Sequence, residues 1–185
     1  ITFWLVIHSL SDLWRMANPR HAYLAAGACI AAVIFLSNNF QSELLGKNLG
    51  FNWMLFAVGC VIYFASWILW KPVKRYLNFK TFAGLPEVTD TKIELITDGP
   101  FSMVRHPRYL MVTIGVVGWC IMANYAGVYV VGFASIIGLV AIVNLEERDL
   151  VKRFGDEYLQ YQKAVPQLFP TLSGIRRFIA SLKEV

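Results

Sequence analysis

The chain has 185 residues, of which 57% are hydrophobic and 16% charged, and its mean hydropathy is +0.52. That balance excludes an ordinary soluble domain and points to a single integral membrane domain, because the length leaves little room for two. The formal charge of +5 does not mark a nucleic-acid binder, since the basic residues sort by loop rather than gather in one patch.

The first residue is Ile1 rather than Met, which points to a trimmed amino terminus. The opening run ITFWLVIHSL is too short to cross a bilayer and is followed by no small-residue cleavage site. Residues 1–16 are therefore expected to be a partial or interfacial helix. Two apolar runs follow, at 21–40 and 52–70, each close to the ~20 residues that a helix needs to span a membrane. Next comes a polar stretch, 71–106, where Gly84, Pro86, Gly99 and Pro100 predict turns and KIELIT (92–97) predicts an extended segment. The apolar pair 107–123 and 126–145, separated by Asn124 and Tyr125, reads as a tight helical hairpin.

None of these runs alternates with the period of two that a membrane β-barrel requires. The expected fold is an all-α, polytopic transmembrane helix bundle, one domain over 1–185 that ends in a cytoplasmic tail at 146–185, with a cytoplasmic pocket formed by the last hairpin, the preceding loop and the C-terminal helix. Gly115, Gly118, Ala134 and Gly138 are expected to let helices approach closely. The 3 cysteines, Cys29, Cys60 and Cys120, lie in apolar runs and read as small buried hydrophobes, not as disulfide or zinc ligands.

Orientation follows from charge. Of the 17 basic residues only Lys47 falls in the loop between the first two long runs. The others precede the first run, flank the central stretch or lie in the tail, which an even number of crossings places on one side. The positive-inside rule puts that side in the cytoplasm.

The chemistry-bearing residues cluster at that side. Pro107 suits the first turn of a helix, where its missing N–H costs nothing. His106 then sits near the cap, and with Arg105 the helix N-terminus forms a corner suited to a carboxylate. At the exit of the hairpin stand Glu146 and Glu147. A helical spacing puts Glu147, Leu150, Phe154, Tyr158 and Tyr161 on one stripe, and Gly155 marks a bend or break within it. The hairpin brings the two ends together, giving a pocket with a carboxylate binder at one corner and an ammonium binder at the other. A second reading uses the same charges for anchoring only, with Arg105 and Arg108 snorkelling to headgroups, His106 capping and the glutamates marking the interface.

The ordered set Gly99-Pro100, Arg105-His106-Pro107 with Tyr109, Glu146-Glu147 with Leu150, Phe154-Gly155, Tyr158, Tyr161, Val165-Pro166 and Pro170 resembles the isoprenylcysteine carboxyl methyltransferase and phospholipid methyltransferase superfamily. It covers residues 92–170. The resemblance implies an integral membrane methyltransferase that uses S-adenosylmethionine. The methyl acceptor would be lipophilic or small: a prenylcysteine carboxylate, a phospholipid amine or a thiol. It implies that 95–100, including Leu95, Ile96, Gly99 and Pro100, hold adenosine. Arg105, His106 and Tyr109 would contact the cofactor from the hairpin entrance. Glu146 and Glu147 would hold its ammonium end or ribose hydroxyls. Arg105, His106 and Glu147 are the expected catalytic residues, with Glu147 turned inward by the helical phasing, and no metal is implied. Arg108 and Leu110-Met111 depart from the family pattern, which bears on the acceptor more than on the cofactor. Membrane sterol reductases, which use a nicotinamide cofactor, share an Arg-His pair, a nearby Tyr and a later Val-Pro. This chain lacks their tryptophan-rich stretch and their additional spans. A non-catalytic membrane scaffold is the third reading.

Overall fold

A computed structural model describes residues 1–16, 18–77 and 94–181. Among them are ten helices and no strand, with one isolated antiparallel bridge between Asn48 and Tyr125. The amino terminus forms two short helices, α1 (Thr2–Ser9) and α2 (Ser11–Met16). The first long helix, α3 (Pro19–Asn39), starts where the Asn18 side chain accepts a bond from the Arg20 N–H at 3.0 Å. A short α4 (Gln41–Leu45) follows. The Asn52 side chain caps α5 (Trp53–Tyr76) by accepting from the N–H groups of Met54 and Leu55. That helix runs past the apolar segment through Pro72 and ends within the stretch read as polar loop. The expected turns at Gly84 and Pro86, and the start of KIELIT, lie outside the described residues, and residues 94–97 form no strand.

After a single turn, α6 (Pro100–Met103), come the two hairpin helices α7 (Pro107–Ala123) and α8 (Ala126–Phe154). Asn124 joins them in the left-handed conformation at φ 50°, which Asn tolerates better than most residues. The tail folds as α9 (Asp156–Ala164) and α10 (Leu172–Ser181).

Three helices, α3, α5 and α8, are long and apolar enough to cross a membrane, and α7 is a shorter apolar helix. Their outward faces carry Leu24, Ile34 and Phe35 on α3, Phe64 and Ile68 on α5, and Val130 and Phe133 on α8, all exposed. Apolar surface of that extent is stable against lipid and not against water. The same inversion explains the cysteines. Cys120 is buried, whereas Cys60 is half-buried and Cys29 is exposed on α3, so the expectation of burial holds for one of them.

Helix α7 packs most extensively on α5 rather than on its hairpin partner α8. The cause is a pair of glycines. A Cβ on Gly118 would stand 2.6 Å from the Tyr63 nitrogen and 2.9 Å from the Gly59 carbonyl oxygen, so the two backbones meet without side chains between them.

At one end of the bundle, the loop after α4 meets the α7–α8 turn. Leu49 N–H donates to Asn124 O at 3.1 Å, Ala126 N–H to Lys47 O at 2.9 Å, and the Asn124 side chain to Gly50 O at 2.7 Å. The Arg105-His106 corner, α9 and α10 gather at the other end.

Candidate active site

The site is built where the chain enters α7 and leaves α8. Before α7 the backbone is extended and pairs with the tail: Arg105 N–H donates to Pro166 O at 2.9 Å and His106 N–H to Gln167 O at 3.2 Å. The tail therefore seals the hairpin entrance with main-chain bonds, and these two N–H groups are not free for a ligand.

Glu147 closes the same corner from α8. Its Oε1 accepts from Arg105 Nε at 2.7 Å and from His106 Nε2 at 3.1 Å, and its Oε2 accepts from Gln162 Nε2 at 3.0 Å. A carboxylate only accepts, so His106 carries its proton on Nε2. Arg105 Nη1 also donates to the carbonyls of Gln162 and Val165. Arg105 and Glu147 are thus a buried, hydrogen-bonded pair that ties α7, α8 and α9 together.

Glu147 is the more buried of the two adjacent glutamates, as the phasing predicts, but it stands behind the cavity. Glu146, not Glu147, lines the cavity at this end of the molecule. Adjacent helical residues differ by ~100°, and Arg105 captures Glu147, turning its neighbour inward. The cavity is about 110 Å³. Its polar lining is Glu94, Arg105, His106, Arg108, Tyr109 and Glu146. Leu95, Ile96 and Phe101 wall one side, and Leu150, Phe154, Tyr158 and Tyr161 wall the other. That is smaller than the ~300–1,000 Å³ of sites enclosing a whole small molecule.

The aromatic wall exists because the helix breaks. Gly155, at φ 55° and ψ −128°, ends α8 and starts α9, in a region nearly reserved for glycine. The break folds Tyr158 and Tyr161 back over the cavity. Tyr161 OH donates to Phe101 O at 2.6 Å. Burial pushes both phenols above their ordinary range, and the charge of Glu147 adds to the effect at Tyr158, so both stay protonated donors.

Two buried polar atoms on this cavity, Glu146 Oε2 and Tyr158 OH, have no hydrogen-bond partner among the described residues. Two imidazole nitrogens flank the carboxylate oxygen, His8 Nε2 at 3.7 Å and His106 Nδ1 at 4.0 Å, and Tyr109 stands beside the carboxylate.

Of the residues singled out from sequence, Leu95, Ile96, Arg105, His106, Tyr109 and Glu146 line the cavity. Glu147 stands behind it. Gly99 and Pro100 stand apart: Gly99, at φ 58°, leaves room for the Tyr76 ring, whose atoms would lie 2.4 Å from a Cβ there. Their place in the fold is a turn under Tyr76, away from the cavity that Leu95 and Ile96 line.

Sequence reasoning missed His8 and undervalued Arg108. Arg108 Nη2 donates to Tyr109 OH at 2.9 Å, and its guanidinium lies 3.8 Å from the Trp4 ring centroid. The available signal was an ionisable residue inside the apolar run ITFWLVIHSL.

The chain belongs to the phospholipid methyltransferase family, whose model matches residues 53–157, and the resemblance seen in the Arg105 and Glu146 motifs holds. It is 32% identical over 114 residues to methanethiol S-methyltransferase 1 of Bradyrhizobium diazoefficiens, covering 58% of this chain and 39% of that protein. It is 36% identical over 192 residues to methanethiol S-methyltransferase of Pseudomonas deceptionensis, covering 93% of this chain and 71% of that protein. Protein-S-isoprenylcysteine O-methyltransferase of Schizosaccharomyces pombe is 33% identical over 79 residues, covering 42% of this chain and 34% of that protein. The chain therefore spans well under half of the Bradyrhizobium relative. No solved structure matches it. With its long apolar helices and these relatives it is an integral membrane protein, and the sterol-reductase reading is not favoured.

Proposed function

We propose that this chain is an integral membrane methyltransferase that takes its methyl group from S-adenosylmethionine and passes it to a small or lipophilic acceptor. One observation carries the reading: Glu146 lines a cavity walled by aromatic and aliphatic side chains, and its buried Oε2 has no hydrogen-bond partner among the described residues. Burying an unpaired carboxylate is costly, and a cationic ligand group removes that cost. The family and the names of the relatives supply the rest.

The donor set fits the cofactor. Glu146 would take the ammonium end or a ribose hydroxyl, Tyr158 OH would give or accept a further bond, and Leu95, Ile96 and Phe101 offer an apolar bed for the base. When bound, S-adenosylmethionine supplies an electrophilic methyl on a sulfonium. The chain's own task is alignment and exclusion of water, where orientation alone is worth up to about 7–11 kcal/mol. The Arg105–Glu147–Gln162 cluster holds α9 over the cavity and so fixes its aromatic wall.

A thiol or amine acceptor must lose a proton, and His106 Nδ1, whose partner nitrogen is pinned to Glu147, is positioned to accept it. An apolar cavity of about 350 Å³, lined among others by Trp67, Trp70, Met111 and Val112, lies one turn along α7 from Arg108 and suits a lipophilic acceptor. The distribution of basic residues supports a cytoplasmic location for this end of the bundle.

The test is to incubate purified protein with labelled S-adenosylmethionine, thiols and membrane extract, and to identify the labelled product. Transfer to a thiol or lipid is the expected result. No transfer, with no thermal stabilisation by S-adenosylmethionine, overturns the proposal.

A further inference from the structure

The amino-terminal helix α1 brings to Glu146 a titratable group that neither the family match nor the sequence motifs assign. His8 is buried, 5% exposed. It stacks on Trp4 with ring centroids 5.7 Å apart, and α1 packs against α8 and α3. Its Nε2 lies 3.7 Å from Glu146 Oε2 and 3.5 Å from Tyr109 OH. Tyr109 OH accepts from Arg108 at 2.9 Å, and two acceptors lie beside its own proton, the Glu146 carboxylate and His8 Nε2.

This arrangement converges lone pairs on one point. Glu146 Oε2, His8 Nε2 and His106 Nδ1 all face it, and His106 has already committed its proton to Glu147. The point calls for a hydrogen-bond donor with positive charge. Two species qualify: the cationic end of a ligand, or a proton taken by an imidazole.

We propose that His8 is a positioning residue of the cofactor site, acting through Glu146. As a neutral imidazole it leaves the Glu146 carboxylate open to a ligand cation, and as an imidazolium it pairs with that carboxylate and displaces the ligand. The inference rests on the reading of Glu146 as the cation-binding group of a S-adenosylmethionine site.

The groups facing His8 set its balance. Glu146 and Asp149 on α8 favour the imidazolium, while Arg108 on α7 and His106 at its cap oppose it. Tyr109 is the remaining titratable neighbour on α7. From α3 the neighbours of α1 are Ala22, Tyr23 and Ala25, and from α2 the neighbour is Trp14. Burial is the largest influence and lowers the His8 pKa below its ordinary value. Near neutral pH the imidazole is therefore neutral and Glu146 is available. Affinity for the ligand should rise as pH rises through the His8 titration and fall below it, by linkage.

The experiment is calorimetric binding of S-adenosylmethionine to the purified full chain at about pH 5.5, 6.5 and 8, in buffers of different ionisation enthalpy, for the unaltered protein and for His8→Gln. The expected result is an affinity that falls from the highest to the lowest pH by less than about tenfold, because the His8 pKa lies below its ordinary value, with proton release on binding, and both effects are lost in His8→Gln. An unchanged pH profile in His8→Gln overturns the proposal and leaves the cofactor reading standing. No binding by the unaltered protein at any pH overturns both. A ligand-free measurement covers the case in which His8→Gln fails to fold. In the 15N-histidine NMR titration of the unaltered protein and of Glu146→Gln, loss of the carboxylate should move the His8 titration to lower pH, and an unmoved titration overturns the pairing.

Discussion

The two adjacent glutamates should behave as opposites when each is replaced by alanine. Glu147→Ala removes the acceptor for Arg105 Nε, His106 Nε2 and Gln162 Nε2, bonds of 2.7, 3.1 and 3.0 Å. The side chains of Arg105 and His106 are 9% and 4% exposed, so water cannot replace the lost partner. Breaking a buried pair from one side costs about 3–5 kcal/mol. For a chain of this length that corresponds to a fall in melting temperature on the order of 10 °C. Glu146→Ala deletes a carboxylate whose Oε2 no donor among the described residues satisfies, with Tyr109 and Arg108 beside it to lose a partner, so its stability cost should be smaller than that of Glu147→Ala. What it should lose is the ligand effect: S-adenosylmethionine at 100 times its dissociation constant adds about 2.7 kcal/mol to a binding protein. A thermal-shift series in detergent, with and without the cofactor, reads both quantities. If Glu147→Ala melts like the unaltered protein while Glu146→Ala keeps its cofactor shift, the roles assigned to the two residues are wrong.

Four further outcomes can be measured. Gly118→Val places a side chain against the Tyr63 nitrogen and the Gly59 carbonyl and should destabilise the α5–α7 pair by at least about 1–3 kcal/mol, seen as a lowered melting temperature; an unchanged one would refute the close approach. Tyr161→Phe loses its bond to Phe101 O and should cost about 1 kcal/mol in stability. Tyr158→Phe should leave the melting temperature unchanged but weaken S-adenosylmethionine binding by calorimetry, and the reverse pattern would count against the aromatic wall. Cysteines introduced at Lys47 and Lys163, on a background lacking Cys29, Cys60 and Cys120, should sort by side. An impermeant maleimide should reach Lys47→Cys in intact cells and Lys163→Cys only after permeabilisation, and the opposite labelling would invert the topology.

Much of this molecule is legible in one dimension. The apolar runs declare helices because a backbone in lipid must satisfy its own hydrogen bonds. Pro107 and Asn124 bound the hairpin through local backbone preferences, and Gly155 announces a break by the same logic. Arg105-His106 at one end of a hairpin and Glu146-Glu147 at the other could be paired on paper, since two antiparallel helices return the chain to its starting surface. Which glutamate faces the cavity was beyond that reasoning. A rotation of ~100° separates them, and the choice rests on Arg105, 42 positions away, capturing Glu147. The arginine's own bonds to the carbonyls of Gln162 and Val165, the retreat of Gly99 under Tyr76 and the arrival of His8 beside Glu146 are likewise contacts between distant segments. Sequence periodicity reports which face of a helix is apolar, but a buried charge takes its direction from the partner that satisfies it, and that partner is chosen only when the chain folds.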